Sequence, residues 1–391
     1  MEFFSLYVDQ LSPVEWTLYG SLLFFFLIQL FFYLRVYKRP YRYERKRDKP
    51  EVPDDQLPGI SVIITSKNDA EALEKNLPYI MEQDYPNFEV IVVNSGSTDE
   101  TDMVLKAAEL KYPALYHTYV PEGADNVNEK KLALTLGIKA ANHEALVFTE
   151  AYCKPCTARW LREFGKEFTQ GKEVVLGYCR LRFNKRFTAR RFIRFDNLVH
   201  HLKFLSMAIA GKPFMGIGRN MAYKKSIFFD SKGFSSILNI DGGEDDLFLN
   251  RVARKKKTGV VLSIDGMAET DIVDGFSTWR ALKSKYVYTK QLYKGFSAHL
   301  FGWETTSKYA FYALFVVLLS WGIASGDPFA AGVALLLFLA RFLVQLTTLN
   351  KNSRMLDKKT YHVNMLPFDL LQPINNQRFR RYANRRNIRD H

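Results

Sequence analysis

The chain has 391 residues, of which 47% are hydrophobic, and a formal net charge of +14. Its mean hydropathy is nevertheless slightly negative, which indicates a polar domain joined to a few very apolar segments and excludes a transporter embedded along most of its length. The three cysteines are too few, and odd in number, for a disulfide framework. A reducing compartment is therefore expected.

The first apolar run covers residues 16–34 and contains no charged residue. About 20 apolar residues suffice to cross the hydrocarbon core of a bilayer. Acidic residues (Glu2, Asp9 and Glu15) precede the run, and a basic stretch at residues 35–47 follows it. This asymmetry predicts an uncleaved anchor with the N-terminus outside and the basic stretch in the cytoplasm.

Two further apolar runs, residues 309–326 and 329–349, are separated by a short turn at Asp327. The arginine-rich stretch at residues 378–389 follows them, so both cytoplasmic borders are basic. We therefore predict a multi-pass protein of the cell's inner (plasma) membrane, with residues 35–308 in the cytoplasm. Arg341, inside the last run, has three interpretations: it contacts a lipid phosphate, reaches the interface, or pairs inside the bundle.

Between the membrane segments, β-branched runs alternate with helical patterns. The predicted strands cover residues 60–65, 89–94, 115–120 and 145–149, and the predicted helices cover residues 70–83, 99–110 and 129–141. Near-continuous apolar strands separated by helices predict an α/β fold with a mostly parallel sheet covered on both faces. Ligands bind such sheets beyond the carboxyl ends of the strands, which here are residues 65–68, 94–97 and 150–152.

Several short motifs occur in a characteristic order across residues 58–300. They cover residues 61–69 (S-V-I-I-T-S-K-N-D), 94–99 (N-S-G-S-T-D), 130–134 (K-K-L-A-L), 149–152 (T-E-A-Y), 216–222 (G-I-G-R-N-M-A), 243–247 (G-E-D-D-L) and 279–286 (W-R-A-L-K-S-K-Y). Together they resemble glycosyltransferase family 2 in its membrane-bound bacterial form. The resemblance implies a GT-A (Rossmann-like) domain.

The segments and the resemblance together predict a domain organisation. In chain order it comprises an N-terminal transmembrane anchor (1–36), a basic cytoplasmic linker (37–58), a GT-A domain (59–276), an interfacial helical segment (277–306), two transmembrane helices (307–349) and a basic cytoplasmic tail (350–391). Residues 365–371 (M-L-P-F-D-L-L) are expected to form a short interfacial segment within that tail.

The resemblance also implies roles for individual residues. Asp245 is the expected catalytic base, which deprotonates the acceptor hydroxyl, with Glu244 beside it. The expected donor-binding residues are Thr65, Lys67, Asn68, Ser95, Lys130 and Glu150. The expected acceptor-side residues are Gly218, Asn220, Trp279 and Lys283. A structural interpretation of the acidic cluster at 244–246 is that it caps a helix.

The implied partners are a nucleotide sugar, a lipid-linked or polysaccharide acceptor, the lipid bilayer and membrane assembly proteins. No nucleic acid partner is expected, because the basic stretches border the membrane segments. The implied cofactor is Mg²⁺ or Mn²⁺ at Glu150. The second carboxylate of that metal motif is replaced by Tyr152, however, and a neutral phenol is a poor ligand for either ion.

Two more positions depart from the family's motifs. Asn94 and Ser95 replace the paired aspartates after the second strand, and Leu282 and Lys285 replace the Gln and Arg of the last motif. Two interpretations remain open. The chain is either an active inverting transferase with an unusual donor or with cations in place of the metal, or a catalytically impaired binding subunit of a polysaccharide or glycolipid assembly complex.

Overall fold

The structure, a computed structural model, describes residues 12–47, 50–121, 128–183 and 185–389. Glu2 and Asp9, which entered the prediction of orientation, lie outside the described residues. So do the first 11 residues of the predicted anchor, two residues of the predicted linker, residues 122–127 and 184 of the predicted transferase domain, and the last two residues of the tail.

The α-helices of the described residues alternate with strands in the middle of the chain and follow one another at its ends. They are Pro13–Phe31 (α1), Arg39–Lys46 (α2), Ala70–Met81 (α3), Thr101–Lys111 (α4), Glu129–Ala140 (α5), Trp160–Thr169 (α6), Arg190–Ile209 (α7), Lys225–Asp230 (α8), Asp246–Val252 (α9), Phe276–Thr289 (α10), Phe296–Ala324 (α11), Pro328–Leu356 (α12) and Met365–Arg389 (α13).

The strands form one large sheet and one small sheet. They are Ile60–Ser66 (β1), Phe88–Asn94 (β2), Leu115–Tyr119 (β3), Ala145–Glu150 (β4), Cys153–Pro155 (β5), Val174–Gly177 (β6), Cys179–Leu181 (β7), Met221–Lys224 (β8), Thr258–Val261 (β9) and Ala268–Thr270 (β10). The large sheet has the order β3-β2-β1-β4-β8-β6-β9 and the small one the order β5-β10-β7. In the large sheet, only β8 runs antiparallel to its neighbours.

The predicted α/β fold with a mostly parallel sheet is confirmed. Every residue of β1 is buried, as expected for a central strand covered by helices on both faces. Helix α5 packs closely on that strand, because a Cβ at Gly137 would lie only 2.8 Å from Cγ2 of Ile63. The sheet therefore provides a rigid frame for the loops at its carboxyl edge.

The chain divides into two compact units. One comprises residues 42–298 with 374–391, and the other comprises residues 1–41 with 299–373. Within the described residues, three helical segments are long and apolar enough to cross a membrane: Pro13–Lys46, His299–Ala324 and Pro328–Leu356. The first is longer than the apolar run in the sequence, because a π-helical stretch, Phe32–Tyr37, leads from α1 towards α2.

Two details of the helical segments differ from the sequence-based expectations. Residues 365–371 are the start of the longer helix α13, because the polar residues that follow continue the helix. Arg341 is fully buried and its Nη2 lies 3.1 Å from Oδ2 of Asp369. Pairing inside the helical unit is therefore the interpretation that the structure supports, and the snorkelling interpretation is wrong.

Candidate active site

The carboxyl ends of three adjacent parallel strands meet at one edge of the large sheet. Thr65 at the end of β1 is in register with Glu150 at the end of β4, and Ser66 is in register with Asn94 at the end of β2. This edge is the expected ligand-binding crevice of an open parallel sheet. It contains the predicted strand ends, and the functional side chains are arranged around it.

The turns after β1 and β2 hold each other in place. The backbone of Asn68 is left-handed, with φ 56°, a conformation that asparagine tolerates better than most residues. The Oδ1 atom of Asn68 accepts a hydrogen bond from the amide of Thr98 at 2.7 Å, and the amide of Asn68 donates to Oγ of Ser97 at 2.9 Å. The buried Ser95 joins the turns through its amide, which donates to the carbonyl of Ser66 at 2.8 Å.

A two-glycine turn presents Glu244 and Asp245 to the crevice. Gly242 and Gly243 have φ values of +78° and +88°, which glycine adopts readily and other residues rarely. A Cβ at Gly243 would also lie 2.7 Å from Cδ1 of Leu247. The backbone at this position thus requires glycine, and the two carboxylates follow directly where α9 begins.

Asp245 accepts hydrogen bonds from several directions. Its Oδ2 atom accepts from the amide of Gly218 and from the hydroxyl of Tyr286, each at 2.7 Å. Its Oδ1 atom accepts from the amide of Asp246 at 2.8 Å, so that it also caps α9. Asp245 is therefore fixed in orientation, and the predicted capping interpretation is correct for this residue.

Lys130, at the start of α5, bridges two carboxylates. Its Nζ lies 2.7 Å from Oε1 of Glu150 and 3.1 Å from Oε1 of Glu244. Burial disfavours the ammonium form, but the two carboxylates outweigh burial and hold the pKa of Lys130 well above its usual value. Burial likewise opposes ionisation of Glu244, yet Lys130 outweighs it and lowers the pKa of Glu244. This group is therefore a charged cluster with one ammonium and two carboxylates.

The pKa of Asp245 is shifted in the opposite direction. Burial and the negative charge of Glu244 raise it, against the lowering effects of the Gly218 amide, Lys130 and Tyr286. Two adjacent acids thus have pKa values displaced in opposite directions. This is the pattern expected when one carboxylate stays ionised and the other exchanges a proton.

Two adjoining recesses share Lys130, Glu150, Glu244 and Asp245 in their walls. The larger recess is also lined by Tyr152, Arg219, Gly242, Gly243, Asp246, Leu282, Lys285, Tyr286 and Thr289. The smaller is also lined by Thr65, Leu134, Phe148, Thr149, Gly218, Met221 and Tyr223. Six of the predicted site residues therefore meet here: Thr65, Lys130, Glu150, Gly218, Glu244 and Asp245.

The other predicted donor residues lie near this crevice but outside the walls of the two recesses. Lys67 is half exposed and pairs with Glu129 at the start of α5. Asn68 and Ser95 support the two strand-end turns through the bonds described above.

Three predicted acceptor-side residues make buried structural contacts instead. Oδ1 of Asn220 accepts from Nε1 of Trp160 at 2.9 Å. Nε1 of Trp279 donates to Oδ2 of Asp196 at 2.9 Å, and the ammonium of Lys283 pairs with the same carboxylate. None of the three lines either recess.

Helix α10 contributes other residues to the site than those singled out from the sequence. Leu282, Lys285, Tyr286 and Thr289 line the larger recess. They are three, four and seven residues apart and so share one helix face, whereas Trp279 and Lys283 contact Asp196 instead of lining the recess. Helical spacing alone does not set Trp279 apart, because Trp279 lies three residues before Leu282 and seven before Tyr286. Arg219 was also missed as a site residue, although a charged residue between Gly218 and Asn220 is unusual in a buried segment.

The residues present do not fit a divalent cation at the predicted position. Glu150 already accepts a hydrogen bond from Lys130, and burial raises the pKa of the Tyr152 phenol well above its usual value, so that the phenol stays neutral. Within the described part of the chain, no group of three or more His, Cys, Asp or Glu side chains is arranged to hold a metal ion. Mg²⁺ and Mn²⁺ prefer carboxylate oxygens.

Part of the chain is similar in sequence to known proteins. The family described as "Glycosyl transferase family 2" matches residues 61–230. Poly-beta-1,6-N-acetyl-D-glucosamine synthase of Staphylococcus aureus is 27% identical over 154 residues, which are 39% of this chain and 33% of the relative. Glycosyltransferase AglE of Haloferax volcanii is 31% identical over 147 residues, which are 36% of this chain and 46% of the relative. The similarity thus spans less than half the length of these two curated relatives.

One solved structure supports the fold. The mannosyltransferase PcManGT from Pyrobaculum calidifontis, solved with GDP-Man and Mn²⁺, is similar at a TM-score of 0.53 and 19% identity, over 88% of this chain and 100% of that one. The segment that matches the family holds Thr65, Lys130, Glu150 and Gly218, and it ends before Glu244 and Asp245. Residues 61–230 therefore match glycosyltransferase family 2, and the chain shares the fold of a known mannosyltransferase.

Proposed function

We propose that this domain transfers a sugar, with inversion, from a nucleotide-sugar donor to a hydroxyl of an acceptor, with Asp245 as the general base. The observation that carries the proposal is the placement of Asp245, a buried carboxylate with a raised pKa in the wall of a recess at the sheet edge. A base with a raised pKa accepts a proton more readily near neutral pH.

The proposed reaction is a single displacement. The acceptor oxygen forms a bond to the anomeric carbon as its proton passes to Asp245. The bond between the anomeric carbon and the diphosphate oxygen breaks, and the electron pair leaves with the nucleoside diphosphate. Glu244, held ionised by Lys130, keeps a fixed negative charge beside Asp245 and so favours proton uptake there.

The donor nucleotide is proposed to bind along the carboxyl ends of β1 and β2, above Thr65, Lys67, Asn68 and Ser95. This edge is where open parallel sheets bind ligands, and its turns are braced against each other. The sugar and diphosphate would then reach the recess that Lys130, Glu150 and Asp245 line.

The acceptor is proposed to be lipid-linked or a growing polysaccharide at the cytoplasmic face of the membrane. Three helical segments can cross a membrane within the described residues, and basic stretches at residues 35–47 and 378–389 flank them. Positive charge is retained on the cytoplasmic side. The same helices and basic stretches support the predicted domain order, in which the transferase domain lies between an N-terminal anchor and two further spans.

A second candidate function is a binding subunit that has lost catalysis. Two observations favour it: a phenol, Tyr152, occupies the position of a metal-binding carboxylate, and Asp245 is already engaged by three hydrogen-bond donors. In this alternative, Asp245 serves only to cap α9 and to hold Tyr286.

Donor turnover distinguishes the two candidates. Membranes containing the full chain would be incubated with labelled UDP- and GDP-sugars, and label in the lipid and polymer fractions would be measured. The proposed transferase incorporates label from at least one donor. No incorporation from any donor would contradict the transferase and favour the binding subunit.

A further inference from the structure

Arg219 is a buried cation in the wall of the larger recess. It shares that wall with Tyr152, Asp245 and Tyr286, and the residue is only 5% exposed. Among the described residues, its Nη1 atom has no hydrogen-bond partner. Buried guanidinium groups are almost always fully hydrogen-bonded, since an unmet donor is costly. This unmet donor beside the recess points to an anionic ligand.

Lys285 provides a second cation in the same recess. It lies on the helix face that carries Leu282, Tyr286 and Thr289 and is exposed. Its Cβ would lie 3.6 Å from a Cβ built at Gly242, which places it beside the turn that carries Glu244 and Asp245. The described residues provide no ion pair for its ammonium group. It is therefore available to a ligand that enters the recess.

Lys130 completes the set from a third element. Its ammonium bridges Glu150 and Glu244, and its side chain remains 38% exposed. It already donates a hydrogen bond to Oε1 of Glu150, the one carboxylate that remains of the expected metal motif. The cations therefore come from α5, the segment before β8, and α10, and they surround one recess.

We propose that these three cations, Arg219, Lys285 and Lys130, bind the diphosphate of the donor in place of a divalent metal ion. This inference rests on the proposed function and names the way in which its leaving group is stabilised. The hydroxyl of Tyr152, at the position of the lost carboxylate, is placed to donate a hydrogen bond to a phosphate oxygen rather than to hold a metal.

The chemistry of the leaving group fits this arrangement. When the bond to the anomeric carbon breaks, negative charge develops on the diphosphate, and cationic side chains around the recess would stabilise that charge. A guanidinium offers paired donors to phosphate oxygens, and a lysine offers a compact charge. The ligand class is a nucleoside diphosphate and its sugar esters, bound without a metal ion.

The test is a binding titration of UDP and GDP against the purified full chain, once in EDTA and once in Mn²⁺. We expect the affinity for at least one nucleotide to change less than about threefold between the two conditions, because the site supplies its own cations. Binding that requires Mn²⁺ would overturn this inference and leave the proposed transferase intact. No binding of either nucleotide in either condition would instead contradict the proposed function.

Substitutions of Lys285 and Arg219 test whether these residues bind the diphosphate. Lys285→Gln changes an exposed side chain, so that folding is preserved, and it should weaken binding in EDTA about tenfold, since one charge-assisted contact is lost. The control Lys106→Gln, on the exposed surface of α4, should bind like the wild type. Arg219→Lys keeps a buried charge but loses the paired donors and should also weaken binding. Wild-type affinity in both Lys285→Gln and Arg219→Lys would overturn the inference.

Discussion

At the scale of single residues, Asp245 is both the cap of helix α9 and the proposed catalytic base. It accepts hydrogen bonds from Gly218, Tyr286 and the first amide of α9, and its pKa is nevertheless raised by burial and by Glu244. The hydrogen bonds determine where the carboxylate points. The neighbouring charge determines how strongly it attracts a proton, so both are needed for a base.

The pH dependence of transfer follows from this raised pKa. The base must be ionised to accept a proton, so activity is present above its pKa and is lost as the pH falls through it. Because the pKa is raised, the acid limb of kcat/KM should lie above the usual aspartate range of about 4. A pH–rate profile whose acid limb lies at or below about 4 would contradict the assignment.

Lys283 provides a second test at this scale. It is buried and pairs with Asp196, which also accepts from Trp279. Lys283→Met should therefore lower the free energy of unfolding by about 3–5 kcal/mol, because it removes one partner of a buried ion pair. Chemical denaturation measures this loss, and the double variant Asp196→Asn/Lys283→Met should recover much of it.

The outcome for Lys283 also separates a structural role from an acceptor-binding role. Unchanged stability of Lys283→Met, together with weaker binding of the acceptor, would support the sequence-based assignment instead. The surface variant Lys106→Met serves as the control for the loss of one lysine.

Some residues of the candidate site could be predicted from the sequence and others could not. Motif order indicated Thr65, Lys130, Glu150, Gly218, Glu244 and Asp245, and the structure brings these residues together. It did not identify which side chains of α10 line the recess, since the sequence motif contains Trp279, Lys283 and Lys285 without showing their contacts. It also overlooked Arg219, whose role depends on a contact between segments far apart in the chain.

At the scale of elements, the site depends on two strand-end turns and one glycine turn. The strands were predictable, because β1, β2 and β4 are short apolar runs bounded by polar residues. In the sequence, the turn at 242–243 appears only as two adjacent glycines, which do not by themselves predict its conformation. Its left-handed backbone and its close approach to Leu247 are not evident from the sequence alone.

Gly243→Ala tests the turn directly. The substitution places a Cβ at φ +88° and within 2.7 Å of Leu247, so we expect a loss of about 1–2 kcal/mol in stability together with a large loss of transfer. The matched control is Gly171→Ala, at φ +77° with nothing within 4 Å of its Cβ. It has the same type of backbone strain away from the recess.

Stability from denaturation and transfer activity would be measured for both glycine variants. The control should lose stability and keep its activity per folded molecule. Equal activity loss in the two variants would show that the Gly243 turn has no specific role in positioning Glu244 and Asp245.

At the scale of the whole molecule, the charge pattern and the apolar helices together predict an orientation. The helices were predictable from hydropathy, whereas the continuation of the first one into Arg39–Lys46 was not, because charged residues end the apolar signal there. Pairing of Arg341 inside the bundle was one of three interpretations from the sequence, but its partner Asp369 could not be predicted, since the two residues lie in different helices and pair only through tertiary packing.

Limited proteolysis of sealed vesicles tests the orientation. In inside-out vesicles, a protease added from outside should cut the segment between α2 and β1, because the basic residues before it place it on the cytoplasmic side. Right-side-out vesicles should protect that segment. The reverse pattern would place the transferase domain on the outer face.

The most direct test of the central proposal compares sugar transfer by the wild type and by Asp245→Asn, with nucleoside diphosphate binding measured on the same samples. The control is Asp241→Asn, an exposed aspartate just before the glycine turn that lines neither recess. A general base contributes about 10²–10⁴-fold, so Asp245→Asn should lose transfer by that factor while it still folds and binds nucleotide, and the control should retain transfer. Wild-type transfer by Asp245→Asn would contradict the proposal.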